Sequence, residues 1–107
     1  MYVTSITMKG RAEKRREIIQ TIGGLQEQVR ERKGCLHASS YQDMGDNNIF
    51  CLVNSWESQE DLDAYLQSRL FSALLGIRSI LAETPEIRIL VEECAYNCDD
   101  ESTVQIH

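Results

Sequence analysis

The spacing of apolar positions along the chain changes several times, and each change marks an element. Tyr2 to Met8 is a short β-rich run. Between Arg11 and Arg32, Ile18, Ile22, Leu25 and Val29 recur at steps of four, three and four, which places them on one face of a helix directed at the core. Gly23 and Gly24 sit inside that helix at a cost of about 1 kcal/mol each relative to alanine, so a kink or close packing against a sheet is expected there. Gly34 stops the helix.

Cys35 to Gln42 and Asn48 to Trp56 flank the polar turn Asp43-Met44-Gly45-Asp46-Asn47-Asn48 and read as an antiparallel hairpin. The second strand of that hairpin is apolar on both alternating faces, with Ile49, Cys51 and Val53 on one and Phe50, Leu52 and Trp56 on the other. Cover on both sides is therefore expected. Ser58 then offers an oxygen to the orphan amides of a new helix, Asp61 three residues later closes a capping box, and Glu60 and Asp61 suit the positive end of the helix dipole. That helix runs to about Arg69. Helical periodicity continues from Phe71 to Glu83 through Leu74, Leu75, Ile77 and Leu81, with Gly76 a point of weakness, and Pro85 ends it.

Glu86 to Cys94 alternates Ile87, Ile89 and Val91 against charged residues, the pattern of a last strand with one buried face. The order is thus βαββαβ, an α+β ferredoxin-like pattern with an antiparallel four-stranded sheet and helices on one face. The other face is left bare, and the doubly apolar third strand points to a second copy of the chain as its cover. Residues 1–94 form one domain, and residues 95–107 read as an acidic tail.

A chain of 107 residues supports one core and no second domain. Its net charge of −6 disfavours nonspecific nucleic-acid binding, although residues 1–33 hold eight Lys and Arg against four Glu. The cluster Lys9, Arg11, Lys14, Arg15 and Arg16 reads as a solvated helix face, with an anionic ligand as the alternative. No apolar run approaches the ~20 residues of a membrane span, and no signal-peptide pattern opens the chain, so no membrane partner is expected and the cytoplasm is the expected compartment. Four cysteines without a secretory signal are expected as reduced thiols. Cys35 and Cys51 read as small core residues. Cys94 and Cys98, with Asp99, Asp100, Glu101 and His107 nearby, match no standard zinc spacing, and no metal is assigned.

The segment FCLVNSWESQEDLDAYLQSRLF, residues 50–71, together with the strand ending Met8-Lys9-Gly10 and the Gly34-Cys35-Leu36 start of the second strand, resembles the antibiotic-biosynthesis monooxygenase family. The likeness covers roughly residues 2–93 and is carried by the order of elements and by the Trp-Glu-Ser, Asp-Leu-Asp-Ala and Ser-x-x-Phe spacing. It implies a homodimeric α+β barrel. It also implies a cofactor-independent monooxygenase that oxidises a quinol, anthrone or related polycyclic phenol with molecular oxygen, so the partner is a small aromatic substrate and no cofactor is called for. The deprotonated substrate supplies the electron, and the protein supplies an apolar pocket, a hydrogen bond to the phenolate and exclusion of water.

The positions matching the family site are Asn54, Trp56 and Tyr65, with Phe50, Leu52, Leu75 and Arg78 as substrate-lining residues. Asn54 can donate or accept, Trp56 offers an aromatic wall with one N–H donor, and the Tyr65 hydroxyl can bond a substrate oxygen. Tyr65 and Leu70 stand where many relatives carry histidine. A tyrosine with an ordinary pKa near ~10 is a poor base at neutral pH, which leaves His37 and His107 as bases. Haem degradation, performed by a branch of this fold, is rejected: Val3, Tyr65 and Leu75 occupy the positions of its asparagine, tryptophan and histidine, and leucine cannot ligate iron. Each of the three site residues also has a purely structural reading. Trp56 and Tyr65 can fill a core with one polar tip satisfied, and Asn54 can bond a turn or cap a helix. Arg78 and Arg88 can likewise pair with Glu and Asp instead of substrate. A noncatalytic dimeric module that binds a small ligand or a partner is the alternative function.

Overall fold

The computed structural model describes residues 1–91. Four strands, β1 (Tyr2–Lys9), β2 (Cys35–Gln42), β3 (Ile49–Trp56) and β4 (Glu86–Val91), form one sheet in the order β2-β3-β1-β4. Every pairing is antiparallel. Helix α1 (Arg15–Arg30) follows a short 3-10 turn at Ala12–Lys14, and α2 (Gln59–Leu66) and α3 (Arg69–Leu75) lead through a second 3-10 turn at Gly76–Ile80 to β4. The fold is α+β and ferredoxin-like. The expected end of β4 at Cys94, the thiols of Cys94 and Cys98, His107 and the tail from 95 to 107 lie outside the described residues.

Side chains alternate across a strand, so Thr4, Ile6 and Met8 of β1 join Phe50, Leu52, Asn54 and Trp56 of β3 on the helix side. Two apolar clusters form there. One gathers Ile6, Met8, Ile18, Ile22, Phe50, Leu52, Leu74, Ile77 and Leu81, and the other Val29, Ala38, Trp56, Leu62 and Tyr65. Half-buried Phe71 packs against both.

The α1 stripe holds Ile18, Ile22 and Val29 as expected, with Leu25 partly buried, and it includes one residue of another kind, Gln26. Neither Gly23 nor Gly24 packs closely on another element: apart from its chain neighbours and its own helix backbone, no atom lies within 4 Å of where a Cβ would stand at either position. Gly24 is exposed in mid-helix, so Gly24→Ala is expected to stabilise the fold by about 0.5–1 kcal/mol. Urea unfolding measures this, and a loss of stability would show that the pair meets a surface outside the single chain.

The second helical region, expected to run to about Arg69 and to continue in helical periodicity from Phe71 with a weak point at Gly76, divides at Ser68. Ser68 ends α2 by donating its hydroxyl to the Tyr65 carbonyl at 2.6 Å and starts α3 by accepting the Phe71 amide at 3.3 Å. One serine thus serves as stop and start, which periodicity alone does not reveal. Leu81 lies beyond the helical part, buried, in an isolated antiparallel bridge with Gly10. The Ser58 cap is as expected: its Oγ accepts the Asp61 amide at 3.1 Å and donates to Asp61 Oδ2 at 2.8 Å.

β4 lies at the sheet edge, and its apolar row is less covered than its alternation implies. Ile87, Ile89 and Val91 pair with Ile6, Thr4 and Tyr2 on the helix side, yet they are 39, 48 and 50% exposed because the helices do not extend over this edge. No helix of the described residues covers the opposite face of the sheet. Val3, Ser5, Thr7, Cys51, Val53, Glu86, Arg88 and Leu90 line a trough of about 350 Å³ there. Cys35 and Cys51 are free thiols and half-buried, less enclosed than core cysteines.

Candidate functional site

Asn54, Trp56 and Tyr65 converge on the helix side of the sheet, with 0, 0 and 1% of their surfaces exposed. Residues two apart on β3 point the same way, which brings Asn54 beside Trp56. The Ser58 cap then sets α2 so that Tyr65 lies over the indole, with ring centroids 4.8 Å apart and planes inclined by 26°. Phe71 of α3 meets the Tyr65 ring edge-on at 5.4 Å. Offset stacking and edge contact are the favoured aromatic arrangements, worth about 0.5–1.5 kcal/mol each beyond the burial itself.

Between the two apolar clusters lies a buried polar rung of Thr4, Asn54 and Gln26. Thr4 and Asn54 are direct cross-strand partners. The Trp56 Nε1–H donates to Thr4 Oγ1 at 3.5 Å, and Thr4 Oγ1 donates to the Asn54 carbonyl at 3.4 Å. Trp56 therefore contributes an aromatic wall, its single donor being committed to Thr4. Gln26 Nε2 donates both to the Ser39 carbonyl at 3.0 Å and to Asn54 Oδ1 at 2.8 Å. Three buried polar atoms have no hydrogen-bond partner among the described residues: Gln26 Oε1, Asn54 Nδ2 and Arg32 Nε.

Burial pushes the Tyr65 hydroxyl up to about 12, against smaller downward pulls from Asn54 and the Arg32 charge and a slight upward one from Cys35. Asn54 pulls on that hydroxyl as a hydrogen-bond donor does, although its Nδ2 makes no full hydrogen bond. Tyr65 is thus neutral and a donor throughout the physiological range. Cys35, at the rim, has its thiol raised chiefly by burial, opposed by the His37 backbone and the Arg30 charge.

The other residues expected at the site are spread out. Phe50 and Leu52 face the same side of the sheet but belong to the first cluster. Leu75 is half-buried on α3, and Arg78 is exposed on the following 3-10 turn. Arg88 pairs with Glu86 at 3.2 Å on the open side of the sheet. His37 pairs with Ser55 and so lies on the open face, its Nε2 2.7 Å from Ser39 Oγ, with the sheet between it and Tyr65. The histidine expected as a base therefore does not reach this cluster.

Gln26 and Thr4 are the site residues that sequence reading passes over. A signal was present: Gln26 follows Ile22 by four and precedes Val29 by three, and Thr4 lies between Tyr2 and Ile6 in period two. A polar residue inside an apolar stripe needs a partner or a purpose.

Beside the aromatic pair, Tyr2, Gln59, Leu62, Asp63, Leu66, Ile89 and Val91 line a cleft of about 370 Å³ between α2 and the β4 edge. Tyr2, Leu62 and Leu66 also pack in the cluster that holds Trp56 and Tyr65. One layer of side chains therefore separates the cleft from the site.

The family model for antibiotic biosynthesis monooxygenase matches residues 1–75. Among solved structures, a Deinococcus radiodurans protein, itself only provisionally assigned as an antibiotic biosynthesis monooxygenase, superposes with a TM-score of 0.81 at 16% identity, over 89% of this chain and 95% of that one. A conserved protein from Methanosarcina mazei Go1 gives 0.77 at 21% identity, over 87% and 94%. A Bacteroides thetaiotaomicron protein of unknown function, named a possible oxidoreductase, gives 0.74 at 18% identity, over 83% and 94%. No curated protein matches. At these identities the structural likeness establishes the fold, and the match over residues 1–75 goes further: this chain is a member of the antibiotic biosynthesis monooxygenase family.

Proposed function

We propose that the protein is a cofactor-independent monooxygenase acting on a quinol, anthrone or related polycyclic phenol, with Asn54, Trp56 and Tyr65 at its site and Tyr2, Leu62 and Leu66 along the approach. The observation that supports this best is the unpartnered, fully buried Asn54 Nδ2 beside an aromatic pair. A buried N–H without an acceptor costs about 1–3 kcal/mol, and a substrate oxygen relieves that cost. For an anthrone, the ring CH2 and O2 become C=O and water. The ionised substrate passes an electron to O2, the two radicals join in a carbon-bound peroxide, and loss of water leaves the carbonyl. The protein's share is to hold the anion, stack on its rings and keep bulk water out.

The cleft between α2 and β4 is the route in. Its volume of about 370 Å³ falls in the range of small-molecule sites, about 300–1,000 Å³. A second copy of the chain covers the open sheet face, where Val3, Cys51, Val53 and Leu90 are interspersed with Ser5, Thr7, Glu86 and Arg88 and no helix of the described residues lies over them. The compartment is the cytoplasm, in keeping with the free thiols of Cys35 and Cys51.

Aerobic oxygen uptake by metal-free protein, with naphthohydroquinones and anthrones set against uncatalysed autoxidation, tests the reading. Uptake well above background is expected. Tyr65→Phe and Trp56→Phe should each lower it tenfold or more while neutral-pH unfolding moves by only a few degrees. The close filling around Trp56 and Tyr65 favours one other reading, a noncatalytic ligand-binding module of the same fold. Background rates with every substrate would select it.

A further inference from the structure

We infer that Gln26 fixes the hydrogen-bond polarity of the site, so that it receives a substrate oxygen already ionised in solution, a phenolate or enolate; the inference rests on the site assignment just made. Gln26 is 1% exposed, and both protons of its Nε2 are committed. One goes to the Ser39 carbonyl, which can only accept, so the atom facing Ser39 is the nitrogen. The other goes to Asn54, so the Asn54 atom facing Gln26 is the oxygen. A backbone carbonyl on β2 thereby dictates, through two amides, that Asn54 turns its Nδ2 away from Gln26 and toward the Tyr65 hydroxyl, with which it makes no full hydrogen bond.

What surrounds that donor favours negative charge. Tyr65 adds a hydroxyl that stays protonated, because burial raises it to about 12. Arg32, its Nε buried and unpartnered, adds a positive charge that acts on the same hydroxyl. No carboxylate belongs to the buried set Thr4, Gln26, Asn54, Trp56 and Tyr65; Asp63 lines the cleft one layer of side chains away, Cys35 acts on Tyr65 from the rim, and His37 is on the other face of the sheet. The buried residues of the site thus reward an oxyanion and include no base to create one. The site therefore selects the ionised fraction of its substrate and does not itself generate it. Gln26 Oε1, also unpartnered, is an acceptor on an amide in direct contact with that of Asn54. A hydroxyl near the ionised oxygen would satisfy it, as in a singly ionised dihydroxyarene. Gln26 acts through Asn54 and is a positioning residue.

The test uses 2-hydroxy-1,4-naphthoquinone, an anion at neutral pH, against its neutral methyl ether, with binding followed by quenching of Trp56, the only tryptophan in the chain. Wild-type protein should bind the anion at least tenfold more tightly than the ether. Gln26→Glu keeps the shape but has at most one proton where Gln26 uses two, and Gln26→Leu has none. In both variants the preference should fall to about one while affinity for the ether stays within twofold. A loss of packing alone would weaken both probes together. The inference is overturned if wild type shows no preference, if Gln26→Glu keeps it, or if neither probe quenches Trp56. Absent oxygen uptake with the preference intact would count against turnover, while the role of Gln26 would stand.

Discussion

Replacing Gly34 with alanine should cost the fold about 3 kcal/mol, read as a drop in the urea midpoint without a change in slope. Gly34 has φ +82, the only positive φ among the described residues. A side chain there pays about 1–2 kcal/mol for the left-handed conformation. An added Cβ would also collide with the Asp61 carboxylate. Asp61 cannot swing aside freely, because it is the member of the capping box that holds Ser58. Loss of such a cap costs about 1 kcal/mol more. The same residue ties the hairpin to the start of α2, since the Gly34 carbonyl accepts the Glu57 amide at 2.8 Å. The variant should therefore also loosen the Trp56–Tyr65 stack one turn further on, and Trp56 fluorescence would report it. A cost below about 1 kcal/mol would mean that the chain around Gly34 rearranges, and this account of the α2 start would be wrong.

The second large effect appears in alkali. The unfolded chain releases the Tyr65 proton near the ordinary value of 10, whereas the folded chain holds it to about 12. Across that interval the folded state carries the extra proton, so stability falls as pH rises and is fully present only below pH ~10. Two pH units at about 1.4 kcal/mol each give about 3 kcal/mol, an order-of-magnitude figure for a tyrosine that is 1% exposed as a residue. Tyr65→Phe cannot lose a proton. Its stability should decline more gently than wild type between pH 10 and 12, the difference between the two curves isolating this one group from other alkaline titrations. Parallel curves would show that Tyr65 ionises as an exposed phenol does, and the buried-donor view of the site would fail with it.

Strand and helix periods, the Asp43–Asn48 turn, the Gly34 stop and the Ser58 cap were all legible because each is written in residues adjacent in sequence. The same holds for the convergence of Asn54, Trp56 and Tyr65, which the register of one strand and the phase of one helix almost determine. Three things were not legible. The break at Ser68 depends on a single hydroxyl switching between two helices, and a periodic pattern runs straight through it. The exposure of Ile87, Ile89 and Val91 depends on how far the helices reach across the sheet, a property of lengths and crossing angles that alternation does not encode. The side of the sheet on which His37 points depends on the extra residue Leu36, a bulge between Cys35 and His37 that resets the alternation. Before that bulge is seen, His37 remains a candidate base; after it, the sheet stands between His37 and the site.

The buried rung of Thr4, Asn54 and Gln26 has a bearing on how the chain finds its alignment. Sliding β3 by two residues along β1 would keep every apolar side chain on its proper face, so hydrophobic burial discriminates poorly between the two alignments. In the slipped pairing Asn54 would meet Ile6 or Tyr2 in place of Thr4, and its carbonyl would lose the Thr4 hydroxyl that now bonds it. Gln26, held by α1, would be left with a donor and nothing to receive it, at a cost of about 1–3 kcal/mol for each stranded group. Polar groups that look like a concession inside the core thus act as a proofreading step in strand assembly, and a chain carrying leucine at 26 and valine at 54 would hold its core while losing the means to tell one alignment from the next.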